Sequence, residues 1–359
     1  MSGAEAMTPQ ERMAAVVAGR RPDRVPVFGF VGAYAARLYG LSLKDFYTDI
    51  EKCVRVQFLA ADLHGYDDAP RYAWADWGGW EFGGTVHFPE SYVEFAPRTE
   101  SHPVSTLADV EHLKTPDPRT AGMYPLLMEY NRIMRRMGLP ARIPGGSVTN
   151  VVNGIVGGER LLRWYVREPE AVRTLYEKAT AFILDAADMI IAEFGAENCV
   201  AGFSAPLDSN DLVSPKVFEK FAVLYLKRVS EGLIHRGVKR FGLHICGDHR
   251  GNLAAWAALP IPPRTTISIG SGMDIVQVAE AFGHKHVVMG NVSTSLLATG
   301  TYEEVYEEAR RCIERGKDLP GGFALMPACE APVTTPPLNI HALVKAVNDC
   351  GRYAEKQRW

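Results

Sequence analysis

The chain has 359 residues, of which 47% are hydrophobic and 23% are charged, and its formal net charge is −3. These values are typical of a globular protein, and a charge so close to zero gives no reason to expect nucleic acid or an anionic membrane as a partner. No apolar run reaches the roughly 18 residues that a membrane-spanning helix needs, and residues 1–21 lack the apolar core of a signal peptide, so we expect a cytoplasmic protein.

The predicted elements alternate between short apolar segments and longer amphipathic ones. A helix from Pro9 to Ala18 comes first. Eight later segments are mostly continuous apolar runs, which is typical of parallel strands buried on both faces. These predicted strands are Val25–Phe30, Tyr66–Pro70, Ala141–Ser147, Val200–Pro206, Phe241–Cys246, Thr265–Gly270, His286–Val292 and Phe323–Cys329.

Several of the intervening helices carry clear start signals. Pro169 opens a long helix that runs to about Phe194, and Ser214 followed by a proline opens another that ends at Gly237. A third begins at Thr301, and the last covers Leu338–Cys350. Strand and helix alternate through eight strands, which predicts one α/β domain over residues 1–359, a (β/α)8 TIM barrel, with an open doubly wound sheet as the alternative.

One segment interrupts this alternation. Residues 74–98 contain two glycine pairs that separate alternating apolar and polar residues, which predicts a β-hairpin inserted after the second strand. Three tryptophans lie in the segment, and they either pack on the barrel rim or line the mouth of a pocket. Rim packing is the simpler interpretation.

A histidine and a cysteine two residues apart end the fifth predicted strand. Side chains alternate along a strand, so His244 and Cys246 point to the same face, with Cα atoms about 7 Å apart. Barrel enzymes build their active sites at this carboxyl end of the strands. A pair of this kind is more often part of a buried core than a metal site, so the pair alone does not establish a metal.

A second cysteine at the same end of the barrel strengthens the metal hypothesis. Cys329 ends the last predicted strand, and strands five and eight share the barrel mouth, so three ligands can converge there. One imidazole and two thiolates suit zinc, and three protein ligands leave a fourth position open, as in catalytic zinc sites.

Nearly the whole chain resembles the uroporphyrinogen decarboxylase superfamily, and within it the zinc-dependent corrinoid methyltransferases, that is, the methylcobalamin:coenzyme M methyltransferases and their relatives. The resemblance depends on short motifs in a specific order. They are Thr8–Arg12, Asp23–Pro26, Leu212–Phe218, Leu243–Gly247, Gly290–Val292 and Pro327–Glu330. It implies that His244, Cys246 and Cys329 hold the zinc.

The resemblance also implies an activity and a partner. We expect methyl transfer between a corrinoid and a small molecule, which is either a methyl donor such as an aryl methyl ether or an acceptor such as a thiol or tetrahydrofolate. The chain has no Asp-x-His-x-x-Gly corrinoid motif, so a separate corrinoid protein is the expected partner. A homodimer is a further candidate assembly. The aromatic residues of the insertion slightly favour a methyl donor over a methyl acceptor as the small molecule.

Two other functions remain as alternatives. A metal-free decarboxylase is one, although the loop over residues 29–37 has a single arginine, Arg37, to meet a substrate with many carboxylates. A non-catalytic tetrapyrrole- or corrinoid-binding protein is the other.

The fourth metal position is where the chain departs from its relatives, which often carry an acid just after the sixth strand. Ser271 stands there, so Asp274, Glu330, Ser271 itself, water or substrate are the candidates for this position. Candidate substrate-binding residues at the strand ends are Asp68, Ser204 and Asn291. For His249, a role beside the metal ligands or towards solvent is favoured over ligation.

Overall fold

The computed structural model describes residues 7–146 and 148–353. Its α-helices are α1 Pro9–Val17, α2 Ala33–Leu38, α3 Leu43–Thr48, α4 Ile50–His64, α5 Leu107–His112, α6 Tyr124–Arg136, α7 Val148–Val156, α8 Gly158–Arg167, α9 Pro169–Phe194, α10 Pro215–Val217, α11 Leu224–His235, α12 Leu253–Ala257, α13 Ile275–Ala281, α14 Thr294–Thr299, α15 Tyr302–Gly316 and α16 Pro337–Cys350. Its strands are β1 Thr85–His87, β2 Arg98–Ser101, β3 Ala141–Pro144, β4 Cys199–Ser204, β5 Phe241–Ile245, β6 Thr266–Ile269, β7 Val287–Met289 and β8 Phe323–Ala324.

The chain folds as two compact units. The first consists of Met1–Leu41, Val54–Arg71 and Pro263–Trp359. The second consists of Ser42–Cys53 and Tyr72–Pro262. No helix within the described ranges combines the length and the apolar character that crossing a bilayer requires.

Three parallel strands organise the second unit. β3 pairs with β4 and β4 with β5, and Ala201 of β4 lies opposite Phe241 of β5. The 26-residue helix α9 packs against β3 and α11, and its buried side chains include Leu175 and Phe182. α9 begins at Pro169, as predicted, and ends at Phe194, where Gly195 leaves the helical path at φ 79°.

The insertion in this unit contains an antiparallel strand pair, but it lies later in the chain than predicted. β1 pairs with β2: β1 lies in the middle of the predicted segment 74–98, whereas β2 begins at its last residue and continues beyond it. The difference arises because the first part forms turns around two glycine pairs, where a Cβ on Gly79 or Gly84 would lie within 3 Å of neighbouring atoms. Trp74 and Trp77 are buried before the strands begin.

The first unit repeats the parallel arrangement. β6 pairs with β7 and β7 with β8, and Val27 forms a parallel bridge to Leu325 beyond β8. The Asp67 amide donates to the Val27 carbonyl over 2.6 Å, so the first two predicted strands lie side by side next to β8.

These first two segments do not form regular strands, which corrects the prediction. Pro26 has no N–H to donate, and the Val27 N–H donates to the Asp67 carboxylate over 2.8 Å instead of to a strand carbonyl. Side-chain hydrogen bonds therefore replace part of the strand ladder.

A buried ion-pair network ties α1 to this region. The Arg12 side chain is fully buried and contacts both Asp23 and Asp67, while Arg24, 1% exposed, contacts Asp67 over 2.7 Å. The N-terminal helix is thereby fixed against the first two strand segments.

The remaining helix predictions agree with the structure to within a few residues. The run that starts at Ser214 and Pro215 continues to His235, with a π-helical turn at Phe218–Val223, and Gly237 follows at φ 87°. Thr301 caps α15 with a reciprocal capping box. The predicted end of the third strand, Ser147, lies outside the described residues.

Candidate metal centre

β5 positions the histidine and the first cysteine. Burial alternates along the strand: Phe241, Leu243 and Ile245 are buried, while His244 is half-buried on the opposite face. Cys246 follows the strand directly and is also half-buried. This local alternation is the reason a His-x-Cys pair at a strand end offers two ligands on one side.

The second cysteine lies in a backbone segment that its neighbours hold firmly. The Ala328 amide donates to the Val292 carbonyl over 2.8 Å, and the Ala331 amide donates to Phe30 over 2.9 Å. Cys329 stands between these two bonds and is half-buried. Its backbone is therefore fixed on both sides of the thiol.

Among the described residues, one group of three or more His, Cys, Asp or Glu side chains is arranged so that it could hold a metal ion, and it consists of His244, Cys246 and Cys329. Their ligand atoms all lie within 4.8 Å of one another. Around a tetrahedral zinc ion, with Zn–S about 2.3 Å and Zn–N about 2.0 Å, two ligand atoms are about 3.5–3.8 Å apart. The separations in the group exceed these values by at most about 1.3 Å, and its one nitrogen and two sulfurs are the donor types that zinc prefers.

Of the candidates for a fourth ligand, the two carboxylates have other partners. Glu330 Oε1 accepts the Ala33 N–H over 3.1 Å, and burial raises the pKa of this carboxyl group to about 7. Asp274 is the N-cap of α13: it accepts the Val276 N–H over 2.9 Å and also contacts Arg315.

Ser271, the third protein candidate, lies on an exposed turn after β6. The metal-binding group contains none of these three residues. Water or substrate is therefore the remaining candidate for the fourth metal ligand.

The three candidate substrate residues differ in what surrounds them. Ser204 ends β4 directly opposite His244 in the strand register, and its half-buried side chain is adjacent to the first ligand. Asp68 accepts the Phe30 N–H over 3.2 Å and contacts the Arg71 guanidinium over 3.3 Å.

Asn291 has a different environment. Its amide donates to the carbonyls of Gly270 and Met273, over 2.9 and 2.8 Å, and the Cys312 thiol donates to its oxygen. The amide hydrogens thus hold the turn that follows β6, while Asn291 itself lies just after β7.

Two features near these residues were not predicted. The Arg71 guanidinium lies over the Phe30 ring at 4.4 Å, and a buried hydroxyl chain links Tyr165, Tyr176 and Thr149 to Asp208 just after β4. Neither has a local pattern in the sequence, because each depends on residues that are far apart along the chain.

Comparison with known proteins covers nearly the whole chain. Residues 8–350 match the family model described as uroporphyrinogen decarboxylase (URO-D). A solved methyltransferase from Methanosarcina mazei superposes with a TM-score of 0.78 at 23% identity, and the match covers 96% of this chain and 99% of that one. This likeness confirms the predicted fold class, an α/β fold of the (β/α)8 barrel type.

Two curated relatives match part of the chain. The methylated-thiol–coenzyme M methyltransferase of Methanosarcina mazei is 28% identical over 203 residues, 55% of this chain and 50% of the relative. The methylcobamide:CoM methyltransferase MtaA of Methanosarcina barkeri is 26% identical over 230 residues, 62% of each chain. The matches therefore span between half and two thirds of the length of these relatives.

Proposed function

The chain belongs to the uroporphyrinogen decarboxylase family, and from that premise we propose that it transfers a methyl group between a corrinoid and a small molecule at a zinc ion held by His244, Cys246 and Cys329. The observation that carries the proposal is the set of three ligand atoms within 4.8 Å of one another. The two curated relatives, both named as coenzyme M methyltransferases, support the methyl-transfer part.

The donor set supports a catalytic rather than a structural metal. Zinc with one imidazole and two thiolate ligands has an open fourth position. When bound, it would supply a Lewis acid that either keeps a bound thiol reactive near neutral pH or polarises a methylated heteroatom. The neighbouring carboxylates, Glu330 and Asp274, hold backbone N–H groups instead. We therefore assign the fourth position to substrate or water.

The chain's own residues prepare this position for a small molecule. His244 and Cys246 are half-buried on a rigid strand end, and Cys329 is fixed by backbone bonds on both sides. Ser204 lies opposite His244 in the strand register, so its hydroxyl is the substrate contact that we favour among the predicted ones.

We propose a thiol or methylated thiol as the small molecule. The names of both relatives refer to coenzyme M, a thiol, and one also names a methylated thiol. The aromatic insertion gives little support for an aryl methyl ether, because Trp74 and Trp77 are 7% and 6% exposed and pack into the interior of their own unit. The corrinoid comes from a separate protein, since the chain lacks the motif that would hold it.

Decarboxylation of a tetrapyrrole fits these residues poorly. The segment after the first strand segment, predicted as a loop, contains helix α2, which carries its one arginine, Arg37, and this guanidinium donates to the Val333 carbonyl over 2.9 Å. A substrate with many carboxylates needs several cations, which this segment does not provide.

Thiolate ligands persist in a reducing compartment, so we also propose the cytoplasm as the location.

The test combines metal analysis with optical spectroscopy of cobalt. Methylcobalamin is mixed with the protein and with 2-mercaptoethanesulfonate or other thiols, and Co(I) corrinoid with methylated thiols or methoxyaromatics. We expect about one zinc ion per chain and a change of cobalt state in the thiol mixtures. The proposal is overturned if the protein holds no zinc and the cobalt spectrum is unchanged in every mixture.

Variants distinguish the metal site from general effects on folding. Cys246→Ser and Cys329→Ser should each lose the metal and the cobalt-dependent turnover. Cys350→Ser is the matched control, because Cys350 is also half-buried but ends α16 outside the metal-binding group. A Cys246→Ser protein that keeps zinc and activity would contradict the assignment.

A further inference from the structure

A buried histidine lies directly behind the first cysteine ligand. His249 follows Cys246 by three residues and has no exposed surface. Its ring contacts Phe218 and Trp256 in edge-to-face geometry, with centroids 6.4 and 5.8 Å away. Aromatic packing therefore fixes the plane of the imidazole.

Hydrogen bonds determine which ring nitrogen carries the proton. The Trp256 indole Nε1 lies 3.1 Å from His249 Nδ1, and an indole N–H can only donate. The Asn252 amide nitrogen lies 3.3 Å from the same atom. A proton on Nδ1 would face the indole N–H, so Nδ1 is the acceptor and the proton is on Nε2.

The other nitrogen faces two backbone carbonyls, which can only accept. His249 Nε2 is 3.1 Å from the Cys246 oxygen and 3.1 Å from the Ala205 oxygen. Ala205 follows β4 as Cys246 follows β5, so one imidazole joins the ends of the two strands that carry Ser204 and His244.

We propose that His249 is a positioning residue for the Cys246 ligand, donating its Nε2–H to the Cys246 carbonyl in a tautomer that Trp256 fixes. The inference rests on the proposed metal function, since it assigns to this side chain the orientation of one metal ligand. The Cys246 carbonyl belongs to the peptide that leads into Gly247 at φ 91°. The hydrogen bond therefore fixes the peptide plane on one side of the Cys246 Cα atom, which carries the thiol side chain. Partners that hydrogen-bond to metal-ligating side chains typically change metal affinity about 10- to 100-fold when replaced, and we expect an effect of this order here.

The first test reads the tautomer in the wild-type protein without added metal. Long-range ¹H–¹⁵N spectra of histidine-labelled protein distinguish the Nε2–H tautomer from the Nδ1–H tautomer and from imidazolium. The His249 signal is the one that shifts in Trp256→Phe, which keeps a ring beside Phe218 and removes the indole donor. We expect the Nε2–H form at neutral pH; the Nδ1–H form or imidazolium would overturn the proposal.

The second test measures zinc affinity by competition with a chromophoric chelator. His249→Phe keeps an aromatic ring and removes both nitrogens, and we expect it to weaken zinc binding about 10- to 100-fold. His249→Gln retains an N–H donor and should recover part of the loss. His64→Gln is the control, because His64 is also buried but bonds to the Tyr34 hydroxyl in the other unit.

The outcomes separate this inference from the proposed function. Wild-type protein that binds no zinc contradicts the proposed function, and the tautomer then decides the hydrogen-bond assignment alone. Wild-type protein that binds zinc while His249→Phe binds it equally tightly overturns the positioning role only. If His249→Phe does not fold, the positioning role is decided by the wild-type tautomer together with the zinc affinity of Trp256→Phe, which we expect to fall.

Discussion

Gly247, directly after the Cys246 ligand, should not tolerate a side chain. Its φ of 91° is unfavourable for any residue with a Cβ, at a cost of about 1–2 kcal/mol. A Cβ there would lie 2.8 Å from the Ser209 Cβ and 3.1 Å from Asp211 Oδ2. Ser209 is 2% exposed, and its carbonyl accepts the N–H groups of Leu212 and Val213, so it cannot move away freely.

The expected loss for Gly247→Ala follows from adding these two effects. Crowding at a packed site costs about 1–3 kcal/mol more, so the total is about 2–5 kcal/mol. Unfolding entropy of about 2.1 cal/mol/K per residue makes each kcal/mol worth about 1.3 °C in a chain of 359 residues. We therefore expect the thermal midpoint of Gly247→Ala to fall by about 3–7 °C.

The chain offers a control matched in backbone conformation. Gly83 has φ 100°, is exposed, and an added Cβ there would meet nothing within 4 Å. Gly83→Ala therefore isolates the backbone effect, with an expected fall of about 1–3 °C. Circular dichroism during thermal unfolding measures both variants. Equal midpoints for the two variants would refute the claim that Ser209 packs closely against the residue after the metal ligand.

Two further predictions concern the ion-pair network that anchors α1. Asp67→Asn removes the carboxylate shared by the buried Arg12 and Arg24 and should lower the free energy of unfolding by about 3–5 kcal/mol. The control Asp318→Asn, at an exposed ion pair, should lower it by less than about 1 kcal/mol. Similar thermal midpoints for the two variants would contradict this prediction. Burial opposes ionisation of Asp23, yet its contacts with Arg12 hold its pKa at about 2, below the ordinary value. The stability that this carboxylate contributes is therefore present above about pH 4 and is lost as the pH falls through about 2. Asp23→Asn should flatten the stability profile between pH 4 and 2, and an unchanged profile would show that Asp23 is not linked to folding.

The parts of the structure that could be predicted from the sequence are those governed by local rules. Strand alternation correctly gave the common face of His244 and Cys246. A proline at the first helical position located the start of α9, and the Thr301 N-cap located the start of α15. These signals operate within a few residues, so a single sequence contains them.

The parts that were wrong or missing depend on contacts between distant residues. The first two strands are irregular because the Asp67 carboxylate replaces a ladder acceptor, and no local pattern predicts that its partner is Val27. The hairpin begins after its tryptophans because glycine turns intervene. The bonds of Asn291 to the turn after β6, and of Trp256 to His249, likewise appear only once the chain has folded.

X-ray absorption at the zinc edge tests the central claim most directly. We predict one zinc ion per chain with two sulfur neighbours at about 2.3 Å and one imidazole nitrogen at about 2.0 Å, and a third sulfur neighbour when a thiol substrate is added. Cys329→Ser should give no zinc signal of this kind, because we expect that variant to lose the metal. A zinc ion surrounded only by oxygen and nitrogen, or a protein that binds no zinc, would contradict the assignment of His244, Cys246 and Cys329 as the metal centre.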